Sequence, residues 1–81
     1  MSAQEQIRRF VTTNFYVPDP SALSDSASFL DAGIVDSTGV LEIVNFLETE
    51  FDVKVEDAEM LPENLDSIAN LAAFVARKQN S

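Results

Sequence analysis

Three separated stretches of this chain space their apolar residues as an amphipathic helix does, and that spacing limits the fold more than any other feature. Ile7, Phe10, Val11 and Phe15 fall on one face of "SAQEQIRRFVTTNF". Val40, Ile43, Val44, Leu47 and Phe51 form a second stripe at about 100° per residue. Ile68, Leu71, Ala72 and Val75 form a third at i, i+3, i+4 and i+7, with Phe74 beside it. No helix with one apolar face is stable alone, so the three must pack together. The piece between them, "VKVEDAEMLPEN", alternates only at Val53 and Val55, too short a run for a sheet. It reads as loop plus a short helical turn over Asp57–Leu61, ended by Pro62. The expected fold is all-α: a small four-helix bundle of three main helices and a short third one, in a single domain over residues 1–81.

The ends of the helices carry their own signals. Ser2 and Glu5 have capping-box spacing, which satisfies two amides that the first turn leaves without acceptors. Pro18 and Pro20 end the first helix, because neither can continue its hydrogen-bond ladder. A long first loop then runs from about Val17 to Val35. It is rich in Ser, Asp and Pro, and Leu23, Phe29, Leu30, Ile34 and Val35 are placed to pin it to the core. Asp31-Ala32-Gly33 reads as a tight turn, with Gly33 taking a positive φ. Asp36 is a good N-cap for the next helix, which begins near Ser37, and Val35 with Val40 makes a hydrophobic staple across its start. The last helix runs from about Asp66 or Ser67 to Lys78, with Arg77 and Lys78 opposing the helix dipole.

On the second helix Thr38, Glu42, Asn45 and Thr49 lie opposite the apolar stripe, and Leu41 and Phe46 border that polar side. Apolar residues flanking an acidic strip suggest a face that docks protein. The charge is uneven as well. The chain has 14 acids, five bases and a net charge of −9. Nine of the acids (Asp31, Asp36, Glu42, Glu48, Glu50, Asp52, Glu56, Asp57, Glu59) and a single base, Lys54, lie between residues 31 and 59. Such a face repels nucleic acid and anionic lipid and speeds encounter with basic protein surfaces. The plain alternative is a solvated face that keeps the chain soluble.

The same composition narrows the chemistry. There is no histidine and no cysteine, so the commonest general base and the thiolate are both absent. No acid-rich loop has calcium-site spacing, and "DSTG" lacks the glycines of a nucleophile elbow. No catalytic residue and no metal ligand is expected. No signal-peptide core and no run of about 20 apolar residues is present, so a cytoplasmic, monomeric protein is expected. Ser37 remains. From local sequence alone its plain reading is a helix-start residue. A helix N-terminus also favours a phosphate ester, so a second reading makes Ser37 a hydroxyl on which another enzyme acts. A phosphorylation switch at Ser37 is a further possibility, and so is an acidic interaction adaptor that grips a basic partner through Leu41, Glu42, Asn45 and Phe46 while Ser37 stays unmodified.

At these residues the sequence resembles a known family. "GIVDSTGVLEIVNFLETEF" is similar to the attachment segment of acyl carrier and peptidyl carrier proteins, whose motif reads D-S-L at the start of the second helix. The likeness runs from about Ile7 to Val75 and takes in the long first loop, "ETEFDVKV" and the I-x-x-L-A pattern of the last helix. "MLPENLDSIANLAAFV" looks like stand-alone carriers served by adenylating ligases. The resemblance implies that Ser37 receives 4′-phosphopantetheine from coenzyme A through a separate Mg²⁺-dependent phosphopantetheinyl transferase. It makes Asp36 the motif aspartate and the chain a non-catalytic acyl or aminoacyl carrier. The partners implied are that transferase and an adenylating acyl or aminoacyl ligase, or other acyl-transfer enzymes, with basic surfaces. Thr38, Leu41, Glu42, Asn45 and Glu48 would meet them. Thr38 departs from the family's leucine, which implies a dedicated set of partners. The resemblance also implies room for an acyl chain between helices, with Ala69, Ala72 and Ala73 either leaving that space or simply allowing close helix approach.

Overall fold

A computed structural model describes residues 2–19, 21 and 23–80. The described chain is helical, with no strand among these residues. α1 spans Ala3–Asn14, α2 Phe29–Ala32, α3 Ser37–Phe51, α4 Pro62–Leu65 and α5 Ile68–Gln79, and a 3-10 turn covers Asp57–Glu59. α1, α3 and α5 are the three main helices of the sequence reading.

One core joins them. Ile7 and Val11 enter it from α1, Ile43 and Leu47 from α3, and Ile68, Leu71, Phe74 and Val75 from α5. α5 is the hub, packing against α1, α3 and α4. Burying these side chains contributes roughly 1.5–3 kcal/mol each, gross, against the entropy of ordering them. A row of rings closes the other side of α1 and α3. Phe15 meets Phe10 edge-on at 6.0 Å, Phe10 stacks on Phe46 at 4.1 Å, and Phe46 meets Phe51 edge-on at 5.7 Å. Phe46 is therefore half-buried, with one side stacked on Phe10 and its edge still bordering the polar side of α3 beside Glu42, Asn45 and Thr49.

The caps follow the sequence closely. Ser2 Oγ accepts from the Glu5 amide at 3.1 Å and starts α1, but the Glu5 carboxylate accepts from the Ser2 hydroxyl at 3.3 Å instead of completing the expected capping box. Ser67 does the same for α5, accepting from the Asn70 amide at 3.0 Å. α1 stops at Asn14, four residues before Pro18, so that proline is not what ends it. Back-bonding helps to end it instead. The Thr12 hydroxyl donates to Arg8 O at 2.9 Å and Asn14 Nδ2 to Phe10 O at 2.9 Å, while Phe15 caps the helix in extended conformation. Pro20 lies outside the described residues.

Two short helices differ from expectation. Pro62 begins α4 where it was expected to end a turn, because the first helical position needs no amide hydrogen. The first loop contains α2. Ser28 caps it at one end, and Gly33 closes it at the other with φ 71°. Of the loop's apolar residues, Leu23, Phe29 and Val35 are buried and Ile34 packs against the core, but Leu30 stays exposed. On a single helical turn, neighbouring side chains point about 100° apart, so Phe29 and Leu30 cannot both face inward.

Asp66 holds α2 in place. Its carboxylate accepts from the Leu30 amide at 3.0 Å and from the Ser28 hydroxyl, and its carbonyl accepts from the Phe29 amide at 2.7 Å. Farther along the loop, Arg8 pairs with Asp25 and donates to Leu23 O at 2.7 Å, and the Ala69 amide donates to Asp25 O at 2.8 Å. These contacts hold the segment leading to Ser37 against both α1 and α5.

Candidate functional site

Three backbone features fix the start of α3. Gly33 turns the chain out of α2, Val35 is buried at 6% exposure, and Asp36 is extended at φ −107°, ψ −172°. Ser37 follows as the first helical residue. Asp36 Oδ1 accepts from the Gly39 amide at 2.8 Å, and Asp36 O accepts from the Val40 amide at 3.1 Å. Val35 and Val40 both pack on the core beside this cap, as a staple requires. The Ser37 side chain, and with it the expected exposure of its hydroxyl, lies outside what the structure describes.

The electrostatics of this turn suit an anion. Helix geometry leaves the amides of the first two residues without an intrahelical acceptor, and the dipole is positive there. Ser37, Thr38 and Gly39 bring no acid into that turn, and the nearest carboxylate, Asp36, is already bonded to Gly39. A phosphodiester on residue 37 would meet amide donors here, with the Asp36 carboxylate as the one adjacent charge and that carboxylate turned to the Gly39 amide, so the residues fit that group.

α3 carries four of the expected docking residues outward. Thr38, Glu42 and Asn45 are exposed, and Leu41 is 60% exposed. Glu48 is different. It is half-buried, and its Oε2 accepts from the Val55 amide at 3.0 Å, so it ties the chain after α3 back onto the helix. Glu59 is likewise engaged inside the chain, by Lys78 Nζ at 2.8 Å, and that hydrogen bond holds its carboxyl below the usual range. Asp31, Asp36, Glu42, Glu50, Asp52, Glu56 and Asp57 remain exposed as the outward acidic surface.

A cleft of about 110 Å³ opens next to the first turn of α3. Leu30, Val40, Met60, Leu61, Pro62, Leu65 and Asp66 line it, and Ala69, Ala72 and Ala73 do not. Ala73 is exposed, and Ala72 packs against the core. Wider grooves, up to about 450 Å³, run between α1 and α3 over Phe10 and Phe46, with Asn14 and Glu50 at their rims. One of these grooves extends along α3 to Glu42 and Asn45, with Glu42 five residues past Ser37, about 7.5 Å along the helix axis at about 1.5 Å per residue.

Residues 5–75 match the family model described as a phosphopantetheine attachment site. The chain belongs to that family. The chain is 30% identical to an acyl carrier protein of Akkermansia muciniphila over 78 residues, covering 96% of this chain and 94% of that protein. Over 60 residues it is 32% identical to an acyl carrier protein of Bdellovibrio bacteriovorus, covering 74% of each. It is also 32% identical over 66 residues to a D-alanyl carrier protein of Streptococcus uberis, covering 82% of each. The prosthetic group of this carrier family is 4′-phosphopantetheine, and the chain is a phosphopantetheine-bearing carrier of acyl or aminoacyl groups. Among the described residues no helix is long and apolar enough to cross a membrane.

Sequence reasoning missed two parts of the site. Gly39 is buried, and a β carbon on it would lie 2.8 Å from Phe15 Cε1 and 3.0 Å from Val35 Cγ1. Asp66 fastens α2 from 36 to 38 residues away in sequence. The poor helix propensity of Gly39 inside a capped helix was a usable signal for the first. For Asp66 there was none, since its partners come from another part of the chain.

Proposed function

We propose that Ser37 is the attachment point of the phosphopantetheine arm and that residues 1–81 act as one carrier domain, not as a catalyst. A single observation carries this reading: within the family-matched segment, Asp36-Ser37 occupies the capped start of α3, in a turn that holds no acid and offers amides to a phosphate. A separate transferase activates the hydroxyl, since the chain has no histidine or cysteine to do so. The Ser37 oxygen bonds to phosphorus while the pyrophosphate of coenzyme A breaks and the nucleotide half leaves. Once attached, the arm supplies a thiol that holds cargo as a thioester. Thr38, Leu41, Glu42 and Asn45 form the surface that meets basic partner enzymes, with Asp36 beside it. The likeness to a D-alanyl carrier protein supports loading by an adenylating acyl or aminoacyl ligase.

The test is intact mass. Purified protein is incubated with a broad-range phosphopantetheinyl transferase, coenzyme A and Mg²⁺. The wild type gains the mass of one arm and Ser37→Ala gains none. An unchanged wild-type mass, or an equal gain in the variant, removes the proposal.

A further inference from the structure

Gly39 is one of only two glycines in the chain, and it sits at the third position of a well-capped helix. Glycine is among the poorest helix formers, so its place there calls for a steric reason. The structure supplies one. Two groups crowd the space where a side chain would begin, Phe15 Cε1 at 2.8 Å and Val35 Cγ1 at 3.0 Å, and Asp36 Oδ1 lies in ordinary contact at 3.5 Å. The first belongs to the end of α1, the second precedes the cap, and the third is the cap itself.

These neighbours have little freedom to yield. Phe15 is the last ring in the row Phe15–Phe10–Phe46–Phe51, which runs from the end of α1 to the last residue of α3. Moving the ring off Gly39 pulls it from Phe10. Val35 is buried, and the Asp36 carboxylate is held by the Gly39 amide at 2.8 Å. A methyl group at position 39 therefore pushes on the first turn of α3, and Ser37 begins that turn.

We propose that Gly39 is a positioning residue for the modification of Ser37. Its bare α carbon lets Phe15 and Val35 close over the first turn, and that closure sets how residues 36–38 are presented to the transferase. The inference rests on the carrier reading above. α1 thereby acts on the attachment site although none of its residues needs to touch the arm.

The experiment compares wild type, Gly39→Ala, Phe15→Ala and the double variant Gly39→Ala/Phe15→Leu. The kinetics of arm transfer from coenzyme A are measured with a broad-range phosphopantetheinyl transferase, far below each protein's melting transition. Circular dichroism verifies the fold of each variant in the same buffer. We expect kcat/KM to fall roughly tenfold to hundredfold in Gly39→Ala, the scale of a small misplacement at a reacting group. Phe15→Ala, which leaves the turn without its brace, should also fall. The double variant moves volume from one side of the contact to the other and should recover most of the loss. A purely structural role would change melting temperature and leave kcat/KM of the folded protein alone. A folded Gly39→Ala or Phe15→Ala with wild-type kcat/KM overturns the proposal, as does a double variant no faster than Gly39→Ala. Should Gly39→Ala not fold, Phe15→Ala and the double variant decide by the same criteria: slow transfer in the first with near-wild-type transfer in the second supports the proposal, and any other pattern overturns it. A wild type that accepts no arm defeats the carrier reading instead, and is told apart because no variant is then modified either.

Discussion

At Asp36 the carboxylate caps α3, and the carrier reading proposes a second task for its charge, so substitutions can divide the two. Its hydrogen bond to the Gly39 amide is an N-cap, and loss of such a cap costs about 1 kcal/mol. Asp36→Ala should therefore lower the unfolding free energy by that amount, read by circular dichroism in urea. Asp36→Asn keeps a capping oxygen and removes the charge. It should melt close to wild type yet accept the arm more slowly, if the charge is what the transferase and its metal ion require; equal transfer rates would confine Asp36 to capping. At the other end of α3, Asp52 is the one non-glycine residue with positive φ among those described, at 54°. An acid there faces the negative end of the helix dipole. Asp52→Asn tolerates the same backbone and should stabilise the protein by roughly 0.3–1 kcal/mol, seen as a higher melting temperature. Much at this scale was legible from sequence: Ser2, Gly33, Asp36 and Ser67 do what their residue types favour at helix ends. Glu48 was not, because nothing in local spacing shows that the Val55 amide will fold back onto it.

At the scale of elements, length decided what could be read. α1, α3 and α5 run for 12, 15 and 12 residues, long enough for apolar periodicity to show. α2 has four residues, too few for a stripe and too few to be stable alone. It exists because Asp66, in the turn between α4 and α5, accepts from the Leu30 amide and the Ser28 hydroxyl. Asp66→Ala removes both bonds and leaves only the main-chain bond from Phe29. Hydrogen bonds to a charged group contribute roughly 1.5–3 kcal/mol, so a loss near the lower figure is expected where water can replace part of the pairing. Hydrogen exchange should quicken at the amides of residues 29–32, while those at the centre of α5 hold nearly steady. Uniform quickening across the molecule would mean that α2 is no separate unit and that Asp66 supports the whole core.

Charge sets the behaviour of the molecule as a whole, and its two signs pull against each other. Glu59 has a lowered carboxyl because Lys78 donates to it, so the folded state holds its proton less tightly than the unfolded chain. That contribution is complete above the ordinary value of 4.5 and fades as pH falls through the lower folded value. Glu59→Gln should therefore differ most from wild type at neutral pH and converge with it in acid, in melting curves taken across pH. Salt acts on a larger set of charges. The pairs Arg8–Asp25 and Lys78–Glu59 are partly exposed, with side-chain exposures from 22% to 41%, so water and salt weaken both. Against them stand the like charges between Asp31 and Glu59, within a net charge of −9. Two unit charges about 10 Å apart in water repel by about 0.4 kcal/mol, and the nine acids of that segment share a molecule measuring 35 × 27 × 19 Å. Added over the segment, the repulsion exceeds what two screened ion pairs return. Raising NaCl from about 10 mM to about 0.5 M shrinks the screening length from roughly 30 Å to a few ångströms and should raise the melting temperature. A fall with salt would show that the two ion pairs outweigh the acidic surface. The acids would then be spaced widely enough on the fold to solubilise it without straining it, and the surface that steers basic partners would carry no cost in stability.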